Sequence, residues 1–237
     1  MERTAREVLE STTGGLAPDP GANRLLPLIA RGAARRETLA VLALEQREVI
    51  AADRRAFLRL AMGIPPLERS REWGRSVEEE AAGEAFFTLL ARGEELAAER
   101  LAAFAEACGV DEARAAAYEP LPGCQAYPAY VAWLAVNGSP ADVVLALNAN
   151  FSAWGGYCAV IAEALRRHYG FSDEACGFFD FFAEPAPALE QRAREAVQAA
   201  LDAGRVNEDL ARRYGRLLGA YEAMFWTTLW ELDRDGA

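Results

Sequence analysis

The chain contains no lysine: its 25 basic residues are all arginines, set against 36 acidic ones for a net charge of −11. Without a lysine amine, no Schiff-base chemistry can run on this chain. The acidic balance repels a phosphate backbone, so nucleic-acid binding is not expected. Histidine is almost as scarce, with His168 alone in 237 residues. A single imidazole excludes histidine-rich metal centres and schemes that need two imidazoles from one chain. Neither a metal nor a cofactor is expected. The four cysteines, Cys108, Cys124, Cys158 and Cys176, form no CxxC pair and read as reduced packing thiols. Although 52% of residues are apolar, no uninterrupted apolar run approaches the roughly 18 to 20 residues of a membrane span. The start, Met1-Glu2-Arg3-Thr4-Ala5-Arg6, lacks the apolar run of a signal peptide. These absences set the expectation of a cytoplasmic protein that does not engage a membrane.

What is present favours helix. Ala, Leu, Glu and Arg dominate, apolar residues recur at three and four, and alternating strand-like runs are lacking. Residues 1–20 read as a frayed, peripheral start running into the Gly14–Pro20 loop. Helices are predicted over about 22–31, 35–61, 66–90 and 94–108, then a short one capped by Asp111 that stops before Pro120. Further helices follow over about 124–136 and 141–168, from the Ser172 cap to Phe182, and over about 187–203 and 207–232. No internal repeat or linker divides the chain, which reads as one domain over 1–237.

Several polar residues sit where the periodicity calls for apolar ones. In the early long helix, Leu39, Leu42, Gln46, Val49, Asp53, Ala56 and Leu60 share one stripe. The helix from Ala141 repeats the pattern with Val143, Leu147, Asn150, Trp154, Tyr157, Ile161 and Leu165, and carries Gly155-Gly156 in its middle. In the last helix Glu222 lies among Leu218, Phe225, Trp226 and Leu229. A carboxyl among aromatic rings has a raised pKa and can move protons. Tyr127 and Tyr130, with Leu134, make a fourth inward surface. Each is consistent with a satisfied core polar group, the usual case for a buried tyrosine, or with a contact to an enclosed ligand.

Three segments resemble the TenA (thiaminase II) family. They are Gly123-Cys124-Gln125-Ala126-Tyr127-Pro128-Ala129-Tyr130 with the Asn137-Gly138 turn, the helix start Ala141-Asp142-Val143-Val144-Leu145-Ala146-Leu147, and Tyr221-Glu222-Ala223-Met224-Phe225-Trp226. The last is the most specific. The resemblance implies an all-α, heme-oxygenase-like multi-helix bundle that hydrolyses thiamine or an aminopyrimidine derived from it. It further implies Glu222 as the residue that moves protons and Tyr127 as a ring-orienting contact. Together with the apolar-stripe and signature residues, the expected substrate-binding set is completed by Asn150, Gln46, Trp154, Tyr130, Tyr221, Trp226 and Asp53. The partners it implies are a small-molecule ligand and copies of the chain in a homodimer or homotetramer.

The family's nucleophilic Cys falls on Asn150 and its Asp on Gln46. An amide is no nucleophile and forms no ion pair with a charged ring. The histidine count also removes the heme-binding, di-iron and quinone-forming relatives of the superfamily. Two readings stay open: hydrolysis of a heterocycle by water that Glu222 activates, and a non-catalytic metabolite-, lipid-binding or regulatory protein on the same scaffold.

Overall fold

Short polar side chains select the helix starts. Thr4, Ser76, Asp111, Ser139, Ser172 and Asn207 each accept a hydrogen bond from the backbone amide three residues on. Each such cap stabilises its helix by about 1 kcal/mol. In a computed structural model, which describes residues 3–16, 23–63 and 76–236, ten α-helices follow. They are α1 Ala5–Gly15, α2 Leu26–Ala30, α3 Arg36–Ala61, α4 Val77–Ala107, α5 Glu112–Ala116, α6 Pro122–Asn137, α7 Pro140–Ala164, α8 Asp173–Ala183, α9 Pro187–Asp202 and α10 Glu208–Asp235. A π-helical turn, Leu165–Tyr169, prolongs α7 to Gly170, whose φ of 70° ends it. No strand occurs among the described residues.

Two elements differ from the sequence reading. Instead of a frayed start, α1 opens with a full capping box between Thr4 and Glu7 and buries Val8 and Thr12 completely. The expected loop over Ala17–Pro20 lies outside the described residues. The expected break near 90–94 is absent, because α4 runs through Gly93 without interruption. A lone Gly weakens a helix without ending it when no Pro follows, and α4 contains no Pro. The first part of the predicted 66–90 helix, up to residue 75, lies outside the described residues. The stretch Pro140–Tyr169 is long and apolar enough to cross a membrane by length and composition. Here it is packed against α1, α2, α8, α9 and α10.

The interior divides into two apolar clusters. One holds Leu39, Leu42, Ile50, Leu101, Phe104, Ile161, Phe178 and Trp226. The other holds Phe57, Phe86, Phe87, Val131, Leu134, Val143, Leu147 and Leu218. Full burial of each such side chain contributes about 1.5–3 kcal/mol. Five helices pass from one cluster to the other, and each carries a polar side chain at the crossing. Asp53 falls between Ile50 and Ala56, Glu94 between Ala91 and Ala97, and Tyr127 between Cys124 and Val131. Asn150 follows Leu147 and precedes Cys158, and Glu222 lies between Leu218 and Phe225. The seam between the two cores is therefore polar on five sides.

Candidate functional site

A cavity of about 70 Å³ opens at this seam, lined by Gln46, Val49, Ile50, Asp53, Glu94, Tyr127, Asn150, Phe151, Trp154, Phe182, Glu222, Phe225 and Trp226. Most of its exposed wall is apolar, while six lining residues, Gln46, Asp53, Glu94, Tyr127, Asn150 and Glu222, bring polar groups to it, a combination suited to a small-molecule site. At this size it falls short of the roughly 150 Å³ that holds a benzene ring, so a ring-sized ligand enters only as lining side chains move. A larger depression of about 850 Å³ beside α10 is open to solvent. Its charges pair with one another, as in Arg3–Glu208, Arg205–Glu79 and Arg212–Glu208.

One hydrogen-bond chain crosses the cavity. Tyr127 Oη donates to Asn150 Oδ1 at 3.1 Å, and Asn150 Nδ2 donates to Glu222 Oε2 at 2.7 Å. The other carboxylate oxygen, Oε1, accepts from Trp226 Nε1 at 3.4 Å, one turn along α10. Desolvation pushes the Glu222 carboxyl up to about 7, against the hydrogen bonds of Trp226 and Asn150, which favour its ionised form. Burial also drives the Tyr127 phenol well above its ordinary value, with the charges of Asp53, Glu222 and Glu94 adding to the effect. It is a donor throughout the physiological range. Trp154 stands against Phe182, Trp226 and Phe178, with ring centroids 5.7, 6.1 and 6.4 Å away.

Of the residues singled out in the sequence, the fold brings Glu222, Tyr127, Asn150, Gln46, Trp154, Trp226 and Asp53 to one cavity. Tyr130 and Tyr221 lie apart from it. Their rings sit 5.0 Å from each other, and Tyr130 stacks at 5.6 Å on Trp133. Tyr221 precedes Glu222 by one position, about 100° around α10, and so faces another side. Gln46 lines the cavity and is 6% exposed. Cys158 is fully buried and does not line the cavity; burial and then the Glu222 charge hold its thiol well above the ordinary range. A thiol so held is a poor nucleophile.

Sequence reasoning missed two acids. Glu94 lines the cavity from α4, and burial followed by the Asp53 charge raises its pKa well above normal. The signal was there: Leu90, Glu94, Ala97, Leu101 and Phe104 keep four-three spacing, but it shows only once α4 is read as one helix. Glu45 is fully buried and does not line the cavity. It accepts from Tyr118 Oη, from the Leu121 backbone amide at 2.6 Å and from Gln125 Nε2 at 2.7 Å, pinning the start of α6 to α3.

The arrangement can hold a small donor-bearing molecule and move a proton at Glu222. Comparison with known proteins agrees with the scaffold. A domain of unknown function with a heme oxygenase-like fold from Shewanella denitrificans superposes with a TM-score of 0.69 at 13% identity, over 97% of this chain and 91% of that one. A TenA homologue from P. horikoshii gives 0.64 at 16% identity over 96% of each chain. A TenA homologue from Pseudomonas syringae gives 0.69 at 12% identity over 96% of this chain and 91% of that one. No curated protein sequence matches the chain. The profile of the TENA/THI-4/PQQC family matches residues 30–232, nearly the whole bundle including every cavity residue, and the chain belongs to that family.

Proposed function

We propose that the cavity binds a small heterocyclic metabolite of the thiamine or aminopyrimidine type and that Glu222 hydrolyses it with water. The observation that carries this reading is a cavity carboxyl poised near neutrality. Glu222 is held up to about 7 by desolvation while Asn150 and Trp226 orient both its oxygens. A group with this pKa exchanges protons readily in both directions at neutral pH. Ionised Glu222 takes a proton from water as the water oxygen bonds to the electrophilic ring carbon. It then returns that proton to the departing nitrogen as the C–N bond breaks, leaving a hydroxylated product and a free amine. Tyr127, whose single hydroxyl proton is held by Asn150, would accept from an amino group on the ring, and Trp154 and Phe182 would cover the ring. The reading takes the partners to be this ligand and further copies of the chain, and the compartment to be the cytoplasm.

The test is turnover of thiamine and of aminomethyl-aminopyrimidines by wild type and Glu222→Gln. We expect the variant to lose about two to four orders of magnitude in kcat/KM, the usual scale of general acid–base catalysis. Equal turnover by the two proteins would sink the assignment. Asn150 favours a second reading, a binding protein without turnover, because it stands where the family's nucleophile stands. Tight binding of the same compounds with no product in either protein would select that reading.

A further inference from the structure

Arg54 and Glu95 form an ion pair on the outer side of α3 and α4, and each follows a cavity acid by one position. On the inner side Asp53 and Glu94 are near enough for the Asp53 charge to act on the Glu94 carboxyl. Both line the cavity, and its lining contains neither arginine nor histidine. Asp53 is 4% exposed, and its Oδ1 has no hydrogen-bond partner among the described residues. Tyr127 from α6 and Glu222 from α10 are the titratable groups facing the pair, with the amides of Gln46 and Asn150 beside them. A buried acid with an idle oxygen, near a second acid and with no cation, is a binding half without its other half.

Resting on the reading of this cavity as a ligand site, we propose that Asp53 and Glu94 form a cation subsite for an amidinium or protonated amino group of the ligand, separate from the proton-moving Glu222. An amidinium presents parallel N–H donors that match two carboxylate acceptors, and its charge stabilises the ionised forms that burial otherwise disfavours. In the free protein the carboxyls resolve their proximity by keeping protons; a bound cation displaces them. The subsite so defined selects against anionic and neutral analogues of the same shape.

The test uses three isosteric probes small enough for the present cavity: acetamidinium, acetamide and acetate, as salts at matched ionic strength. Thermal shift and NMR titration of the whole protein at neutral pH should show saturable binding of acetamidinium in the millimolar range. Acetamide and acetate should do nothing comparable. Asp53→Asn and Glu94→Gln should each weaken acetamidinium about tenfold or more, the scale of one charge-assisted hydrogen bond, and more than Glu222→Gln, which removes a facing charge but no acceptor of the subsite. Equal response to acetamide, no response to acetamidinium, or undiminished binding by both variants overturns the subsite. If acetamidinium fails while the wild type still binds an aminopyrimidine, only the subsite falls. If both fail, the reading of the cavity falls with it.

Discussion

Asn150 is the residue on which the chemistry of the cavity turns. It accepts from Tyr127 and donates to Glu222, so its amide fixes both neighbours and lowers the carboxyl pKa against desolvation. Replacing it by leucine removes that donor while filling similar volume. If Glu222 turns over substrate, the pH–rate profile of wild type should bend near pH 7. In Asn150→Leu the bend should move upward; an unmoved or lowered bend would separate Glu222 from the titration. Glu45 illustrates a different role for a buried acid. Its carboxylate is matched by three donors, so truncation leaves a hydroxyl, a backbone amide and a side-chain amide without a partner. Glu45→Ala should lose about 3 kcal/mol or more in urea unfolding, and Glu45→Gln distinctly less, because one acceptor remains. Equal losses would mean that packing rather than hydrogen bonding dominates there.

At the scale of elements, Gly93 within α4 and Gly155 within α7 make opposite predictions. A Cβ at Gly93 would meet nothing within 4 Å, whereas at Gly155 it would come within 3.0 Å of the Phe182 carbonyl oxygen. Gly93→Ala should therefore stabilise the protein by about 0.5–1 kcal/mol, through helix propensity alone. Gly155→Ala should destabilise it by about 1 kcal/mol or more by pushing α8 away, and should alter ligand affinity because Phe182 is a cavity wall. Thermal melts of the two variants decide both signs. The Gly155-Gly156 pair, open in the sequence to close approach, a kink or ligand room, divides on this count: Gly155 permits the approach of α8, while Gly156 faces open space. The ends of the bundle are tied by a polar clasp. Buried Asp233 of α10 accepts from the Arg35 amide at 2.8 Å and from Thr38 Oγ1 at 2.6 Å at the start of α3.

For the whole molecule, the seam makes stability depend on pH. Burial raises the Asp53 carboxyl to about 8 and Glu222 to about 7, whereas the unfolded chain ionises these groups near pH 4. Between those values the native state holds protons that the unfolded chain has released, so stability must fall as pH rises through about 4 to 8. Urea unfolding should show this fall, on the order of a few kcal/mol in total. Asp53→Asn should flatten it and make the protein more stable than wild type at pH 8, by about 1 kcal/mol or more. No gain at pH 8 would show that Asp53 is ionised and compensated in the folded protein.

The sequence by itself determined that the chain is helical, where most helices begin and end, and which family it belongs to. Those properties rest on local rules: three-four periodicity, capping side chains, and the contiguous Tyr221–Trp226 signature. It also marked Gln46, Asp53, Asn150 and Glu222 as polar groups on apolar stripes, since the neighbours that betray them lie one turn away on the same helix. Only the tertiary structure decided that these stripes meet at one seam between two cores. Only it brought Glu94 opposite Asp53 across α3 and α4, and sent Tyr130 and Tyr221 elsewhere. The physical reason is that a helix fixes the direction of a side chain relative to its own axis, whereas desolvation and charge coupling depend on what the other helices place against it.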